Sequence, residues 1–354
     1  MRIAIASLQV PFISGGAELL ARGLLQACRA SGHEAEIVTA PFRFFPENEV
    51  LRSMDFWEAE NFEDINGHSP DYVICLKFPC YYLRHPRKVV WLLHQHRSVY
   101  DLWDGQSQQP SPKLLDLRDR ISQKDTTHLS RVQKFCTISQ NVSDRLKRFN
   151  GLDSIPVYHP PALADRFYTR DAEPYIFFPS RIETLKRQRL LIEAMQFVQS
   201  PVGALIAGDG GQRPACEKLI QDLGLQDRVR LTGNLSDEDL LACYACCLGV
   251  FFGPRDEDYG YVTLEAMLAR KPVITCTDSG GPLEFVIHGQ TGFVVEPEAN
   301  SVAAAIDRLY EHREEAASLG QAGYLRYQAI GISWENVVHT LIGETPNAPR
   351  NGSV

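Results

Sequence analysis

The sequence predicts an α/β protein made of two doubly wound domains that face each other across a cleft. Three observations predict it. The chain has 354 residues, and single hydrophobic cores stop growing at roughly 250–300 residues, so two domains are expected. Short, nearly continuous apolar runs alternate with stretches of helical period, the pattern of parallel strands covered on both faces by crossover helices. That alternation breaks at a Pro-rich segment, "NGLDSIPVYHPPALADRF" (150–167), and then begins again.

In the first half, "RIAIASL" (2–8) reads as a strand, "GGAELLARGLLQACRASG" (15–32) as a helix ending at Gly32, and "EAEIVTA" (34–40) as a second strand. "DYVICLK" (71–77), "KVVWLL" (88–93) and "KFCTIS" (134–139) continue the strands, with helical segments between them. After the break, the strands are "PYIFFPS" (174–180), "GALIAGDG" (203–210), "RVRLTGN" (228–234), "CLGVFFG" (247–253) and "PVITCTD" (272–278). The helices are "KRQRLLIEAMQFV" (186–198), "RPACEKLIQDLGL" (213–225), a segment from Val262 that Pro272 stops, and "SVAAAIDRLYEHREEAASLG" (301–320). "ISWENVVHTLIGE" (332–344) is a last helix, and a polar tail follows that reads as disordered. The domains are expected at 1–165 and 166–329, with a terminal helix at 330–345 and a tail at 346–354.

Composition narrows the class. The chain is 44% hydrophobic and 23% charged, as a globular protein with a sizeable core should be. Its formal net charge of −8 disfavours nonspecific contact with nucleic acid, and no nucleic-acid partner is expected. Residues 1–165 carry 19 basic and 19 acidic side chains, and residues 166–354 carry 17 and 25, so the acidic excess lies in the second half. Within the first half, residues 77–97 hold Lys77, Arg84, Arg87, Lys88 and Arg97 and no acid. That run reads either as solvated surface or as a patch for an anionic membrane or acceptor. The nine cysteines are scattered, and "CYACC" lacks a second pair at metal spacing. Cys243, Cys246 and Cys247 therefore read as small apolar helix residues, and no metal is expected. A strand begins at once after Met1 and no apolar run reaches 18 residues, so a cytoplasmic location is expected.

The candidate functional residues fall at strand ends, where doubly wound sheets bind ligands. In "GPRDEDYGYVTLEAMLARKPVIT" (253–275), Glu257 lies in a loop and Glu265 one turn into a helix. Between them is a helix N-terminus, whose free N–H groups and partial positive charge suit an anion such as phosphate. "SRIETLKRQ" places Arg181 and Lys186 in a loop and at a helix start. Cations are disfavoured there on their own, but a guanidinium fork and an ammonium together clamp a diphosphate; Arg187 is the alternative to Lys186. Gly15 and Gly16, in the first strand-to-helix turn, either let the backbone approach a phosphate or sugar or form a tight turn. No G-x-G-x-x-G occurs there, which argues against a dinucleotide. "GDG", beginning at Gly208, is a site loop or only a turn. In "HQHR", His94 is the first residue past a buried strand and points toward the cleft; the alternatives are His96 or a structural cap. No nearby acid completes a metal set.

"SRIETLKRQRLLIEA", "IAGDG", "EDYGYVTLEAMLARKPVI" and "GGPLEFVIHGQTGFVVEP" occur in this order. The ordered set resembles the C-terminal donor domain of glycosyltransferase family 4, with its GT-B fold of two Rossmann-like domains, over about residues 171–297. The resemblance is looser in the first half. It implies a retaining, metal-independent hexosyltransferase using a UDP- or GDP-linked sugar, with no cofactor beyond that donor. The implied acceptor is a glycan or lipid-linked molecule of cell-surface polysaccharide or glycolipid synthesis. Glu257 would hold the sugar hydroxyls. Backbone N–H groups around Tyr259, Gly260, Tyr261 and Val262 would bind sugar and diphosphate. Glu265 would take the ribose, and Arg181 and Lys186 the diphosphate. Gly16 would approach the phosphate from the other domain, and His94 would line the sugar pocket. The loop ending in Leu235 would lie near the nucleobase. The last helix would cross back onto the first domain.

Asp258-Tyr259, "SRI" and "YHPP" depart from the commoner family pattern, which weakens any inference about the sugar while keeping every charged donor contact. Two other readings stand beside the transferase. One is a noncatalytic nucleotide-sugar sensor or scaffold subunit, which would bind donor without hydrolysing or transferring it. The other is an epimerase or phosphorylase on a related fold, against which the two glutamates and the lack of a pyridoxal-lysine context count.

Overall fold

The computed structural model describes residues 1–12, 15–103 and 110–343. Contacts divide the chain into two units: Met1–His159 together with the segment from Ser333, and Pro160–Ile332. The expected tail at 346–354 lies outside the described residues.

The first unit contains strands β1 (Arg2–Gln9), β2 (Glu34–Pro41), β3 (Tyr72–Cys75), β4 (Lys88–Leu92), β5 (Lys134–Thr137) and β6 (Ile155–Pro156). Its helices are α1 (Gly16–Ala30), α2 (Glu47–Ala59), α3 (Pro112–Leu129) and α4 (Gln140–Asn150). The strands form one parallel sheet in the order β2-β1-β3-β4-β5-β6. The chain moves from β1 to one side and then to the other, so the switch point lies between β1 and β3. The apolar runs are buried as a parallel sheet requires: Ile3, Ile5, Val73, Ile74, Val90 and Trp91 are at most 2% exposed. Strand β6 falls inside the segment expected to be a linker. It is two residues long and on the sheet edge, where proline is tolerated.

The second unit contains β7 (Tyr175–Pro179), β8 (Gly203–Ala207), β9 (Val229–Gly233), β10 (Gly249–Phe251), β11 (Val273–Cys276) and β12 (Gly292–Val295). Between and after them run α5 (Gln188–Ala194), α6 (Arg213–Asp222), α7 (Asp237–Cys246), α8 (Tyr261–Leu268), α9 (Pro282–Phe285), α10 (Ala299–Glu311) and α11 (Arg313–Ile330). The parallel sheet has the order β12-β11-β10-β7-β8-β9, which puts its switch point between β7 and β10. The fold is thus α/β with two doubly wound sheets, as the sequence predicts. One expected element differs. The single helix at 301–320 is two helices broken at His312, whose φ of −117° and ψ of 64° are not helical. The apolar period runs through the break, but α10 packs on α5 while α11 packs on α8, with both touching β12, so the two segments answer to different neighbouring helices.

The last helix, α12 (Trp334–Ile342), packs in the first unit, against α1 and β4. Trp334 lies directly over Gly23 of α1 and edge-on to Trp91, with ring centroids 6.4 Å apart. His159 completes this aromatic group, 5.3 Å from Trp91 and 5.8 Å from Trp334. It is 1% exposed, and burial pushes its imidazole down to about 3. The folded state therefore binds fewer protons than the unfolded one between that value and the ordinary 6.5. The stability this neutral ring contributes is fully present above pH 6.5 and is lost as the pH falls below it, by about 1.4 kcal/mol per pH unit. Urea midpoints followed by circular dichroism from pH 7 to pH 5 should therefore fall less steeply in His159→Phe than in the wild type. Equal slopes would show that His159 is not held neutral.

Helix α3 carries a buried acid. Asp125 is 0% exposed and accepts hydrogen bonds from the hydroxyls of Tyr81 (2.9 Å) and Tyr82 (2.6 Å) on Oδ1 and of Tyr100 (2.7 Å) on Oδ2. Burial pushes its carboxyl up to about 6 against the opposing pull of those hydroxyls.

Candidate active site

The loops that follow β7, β8, β10 and β11 leave the same end of the second sheet, and backbone hydrogen bonds join them. Ser180 N–H donates to Ala207 O (2.9 Å), Ile182 N–H to Asp209 O (2.9 Å) and Gln212 N–H to Ile182 O (3.0 Å). Arg255 N–H donates to Leu185 O (2.8 Å), Glu257 N–H to Ser279 O (2.8 Å) and Gly281 N–H to Glu257 O (2.8 Å). Gly208, with φ +126°, makes the first join possible: a Cβ there would lie 2.1 Å from the Ser180 carbonyl oxygen. The glycine loop thus buttresses the loop that carries Arg181.

At the switch point, Lys186 closes a short turn (Thr184–Lys186) and its Nζ donates to Glu257 Oε2. Both side chains are about one-fifth exposed, at 18% and 22%. The Lys186 ammonium also stands 5.6 Å over the Phe252 ring. Arg187, the sequence alternative, is engaged elsewhere. It has a left-handed φ of 61° and holds Asp278 through Nη1 (2.7 Å) and Nη2 (2.5 Å), a bidentate pair that raises the guanidinium and lowers the carboxyl. Arg181 is exposed and its side chain forms no ion pair among the described residues.

Gly260 precedes α8 with φ +90°, a conformation that glycine adopts without strain. Val262 and Tyr259 are buried. The Tyr259 ring packs edge-on against Phe285 (5.7 Å) and Tyr261 (5.4 Å). Glu265, half-buried on α8, accepts a 2.6 Å hydrogen bond on Oε2 from the hydroxyl of Tyr244. Burial raises its carboxyl and that hydroxyl opposes the shift. Oε1 makes no hydrogen bond among the described residues. Tyr244 is itself fixed, 0% exposed and edge-on to Phe177 (5.0 Å) and Phe167 (5.4 Å). Leu235, between β9 and α7, is half-buried against the core.

The remaining expected residues are in the first unit. Gly15 caps α1, and its N–H donates to Glu18 Oε2 (2.8 Å). Glu18 Oε1 in turn holds Lys77 Nζ at 3.1 Å, a part-buried pair spanning the β1/β3 switch point. Gly16 is the first residue of α1. His94 follows β4, half-buried, with Nδ1 2.7 Å from Gln95 O. His96 packs among Phe42, Phe44 and Phe78, and burial pushes it down to about 4. That neutral ring sits in an aromatic cluster, while His94 stands at the strand end. The basic run at 77–97 does not form a continuous patch. Lys77 is bound to Glu18, Lys88 donates to the carbonyls of Tyr81 and Leu83, and Arg97 pairs with Asp101, so Arg84 and Arg87 are the exposed cations of the run. The structure thus gathers Arg181, Lys186, Gly208, Glu257, Gly260 and Glu265 at one end of the second sheet. Gly15, Gly16 and His94 stand at the corresponding strand ends of the first. Tyr244, Asp278 and Glu18 were not foreseen from the sequence, and Lys77 was foreseen only as part of the basic run.

The family model described as glycosyl transferases group 1 matches residues 164–326. Residues 164–326 are a glycosyl transferases group 1 domain. This group 1 domain holds every acidic and basic residue of the site in the second unit. The chain is similar to the mouse alpha-1,3/1,6-mannosyltransferase ALG2, 34% identical over 110 residues, which is 31% of this chain and 26% of that protein. The aligned regions span 26% to 39% of three such relatives, ALG2 of mouse and human and an alpha-D-kanosaminyltransferase of Streptomyces kanamyceticus, while an uncharacterized glycosyltransferase of Methanocaldococcus jannaschii aligns over 89% of its length at 24% identity. Among solved structures, sucrose-phosphate synthase from Thermosynechococcus elongatus superposes with a TM-score of 0.77 at 21% identity, covering 95% of this chain and 96% of that one. Anabaena HepE in complex with UDP and glucose gives a TM-score of 0.68 at 18% identity, covering 96% and 97%. These likenesses show the fold, the expected GT-B type, around the group 1 domain.

Proposed function

We propose that this protein is a retaining hexosyltransferase that takes its sugar from a UDP- or GDP-sugar without a metal ion. The observation that carries this reading is the Lys186–Glu257 pair beside Arg181 and the start of α8, all at the β7/β10 switch point. A diphosphate placed there meets two cations and a helix N-terminus. The sugar lies at Glu257, and the ribose at Glu265, roughly 6 Å along α8 from its first residue. The C1–O bond to the diphosphate breaks and a C1–O bond to the acceptor hydroxyl forms on the same face. The hydroxyl proton passes to the departing diphosphate. Negative charge grows on that leaving group, so fixed cations around it favour the transition state over the bound donor. Glu257 positions the sugar and keeps Lys186 in place. The presence of UDP and glucose in HepE supports a donor of this class.

The acceptor is a glycan or a lipid-linked molecule of the cell surface, met at the inner face of the membrane. Phe12, Phe44 and Phe45, which are 108%, 47% and 83% exposed, follow the adjacent strands β1 and β2 next to Arg43. Exposed aromatics beside a cation suit an amphiphilic acceptor or a membrane interface.

Thermal shift with UDP, GDP and their sugars tests the donor site. A ligand that binds only the folded state raises the melting temperature by mass action. UDP or GDP should stabilise the wild type and not Arg181→Ala; no stabilisation by any nucleotide at millimolar levels would overturn the reading. Arg181 suits this test because its side chain is exposed and bears no internal ion pair. A second variant separates binding from chemistry. Tyr244→Phe removes the hydroxyl that fixes Glu265 and should raise the donor KM roughly 5- to 10-fold, about 1–1.4 kcal/mol, at nearly constant kcat. A loss confined to kcat would place Glu265 elsewhere in the mechanism.

A further inference from the structure

A second pocket of the group 1 unit lies at the opposite end of the sheet, where β7, β10 and β11 begin. It has a volume of about 620 Å³ and is lined by the segment 169–172 ahead of β7, by Arg270–Pro272 between α8 and β11, and by the first turns of α11. That volume is within the range of small-molecule sites. Its charged lining is unbalanced: Arg170, Arg270, Lys271 and Arg313 face it with Asp171 as the single carboxylate. None of the four cations makes an ion pair within 4 Å among the described residues.

The four come from three different segments, and the Arg170 and Arg270 guanidiniums lie over the rings of Tyr168 (5.3 Å) and Tyr324 (4.6 Å). Arg270 and Lys271 follow the C-terminus of α8, where cations complement the helix dipole. Arg313 is the first residue of α11, where a cation opposes it. Its guanidinium is nonetheless held toward the pocket, donating to Ala172 O (3.0 Å) and lying 4.5 Å over Tyr310. Lys271 is 4% exposed, and its Nζ makes one hydrogen bond, to Arg170 O (3.0 Å), leaving two of three donors without a partner among the described residues. Burying an ammonium with unfilled donors in a pocket whose lining is mostly cationic is unfavourable unless an anion accompanies it. The guanidinium fork and the ammonium are the groups that recognise phosphate oxygens.

We propose that this pocket binds a small phosphate-bearing molecule, a phosphate monoester, separately from the donor site. Helix α8 connects the two places. Gly260 caps its start in the candidate active site, it carries Glu265, and Arg270 and Lys271 follow its end in the pocket. Occupation of the pocket fixes the far end of the helix that presents Glu265, so the bound ester raises affinity for the donor, and the donor raises affinity for the ester by the same factor.

The probes are inorganic phosphate and glycerol 3-phosphate, compared with chloride at equal ionic strength in thermal shift and titration calorimetry. Arg181→Ala serves as the chain with its donor-site clamp removed. The expected result is a melting temperature raised by several degrees at 10 mM probe in both wild type and Arg181→Ala, with one equivalent bound. Arg170→Gln/Arg313→Gln should weaken that binding at least tenfold; these side chains are exposed or half-buried, so the variant should fold. Lys271→Gln should do the same if it folds. The proposal is overturned if the probes act no differently from chloride, if their effect vanishes in Arg181→Ala, or if it survives undiminished in Arg170→Gln/Arg313→Gln.

Discussion

Lys186→Met and Glu257→Gln each lower kcat/KM for transfer by about 100- to 1,000-fold, and the double variant falls little further than the worse of the two singles. The size follows from where the charge develops. Removing one preorganised donor aimed at a leaving group forfeits stabilisation that exists mainly in the transition state. The non-additivity follows from contact: Lys186 Nζ and Glu257 Oε2 share a hydrogen bond, so removing either partner disturbs the other. Lys186→Met leaves a carboxylate beside the incoming diphosphate, which adds repulsion. Glu257→Gln leaves the lysine in place but free to move. The measurement is a double-mutant cycle on initial transfer rates with a natural donor. Full activity in Glu257→Gln would remove the role assigned to that residue, and simple additivity would mean that the pair acts as two independent groups.

Asp125→Ala destabilises the first unit by about 3–5 kcal/mol, because it leaves three buried phenolic O–H groups without their acceptor at roughly 1–3 kcal/mol each. Tryptophan emission is a suitable reporter, since all four tryptophans, Trp57, Trp91, Trp103 and Trp334, belong to that unit. Asp125→Asn should be milder, because its amide oxygen still accepts from Tyr81 and Tyr82. The pH dependence has a definite sign. The folded carboxyl titrates near 6, above its ordinary value of 3.8, so the folded state takes up a proton in that window and the unfolded state does not. This site therefore favours folding most at low pH and loses that contribution as the pH rises through 6, opposite to His159. Asp125→Asn should remove the rise in stability that the site gives on acidification from pH 6 to pH 4. An unchanged unfolding midpoint in Asp125→Ala would show that the three hydroxyls find other partners.

The strands and the site loops were legible because their signals are local. Buried parallel strands read as apolar runs, and Gly260 and Pro272 bracket a helix within a dozen residues. Arg181, Lys186, Glu257 and Glu265 are conspicuous as charges at strand ends. Tyr244, Asp278 and the Lys77–Glu18 pair were not legible, because each meets its partner across 21, 91 and 59 positions and nothing in the neighbouring sequence marks the match. The basic run at 77–97 stayed open to two readings for the same reason: composition cannot tell an exposed lysine from one folded inward onto carbonyls. Asp125 did leave a trace. Leu117, Ile121, Asp125 and Leu129 recur every four residues on one face of α3, so an acid stands on the apolar stripe of a helix. The break at His312 left none, since the apolar period continues across it.

The position of α12 bears on how the chain is made. Trp334 covers Gly23 and Trp91, and so the core of the first unit is closed by residues that leave the ribosome only after the whole second unit. The second unit is contiguous from Pro160 to Ile332 and holds all its own residues some ten positions earlier. During synthesis the half translated second is therefore the first that can be completed, while the half translated first waits with an apolar seam exposed along α1 and β4 for the whole of that interval. A premature stop just after Ile332 would spare the group 1 domain and leave the amino-terminal half as the aggregating part.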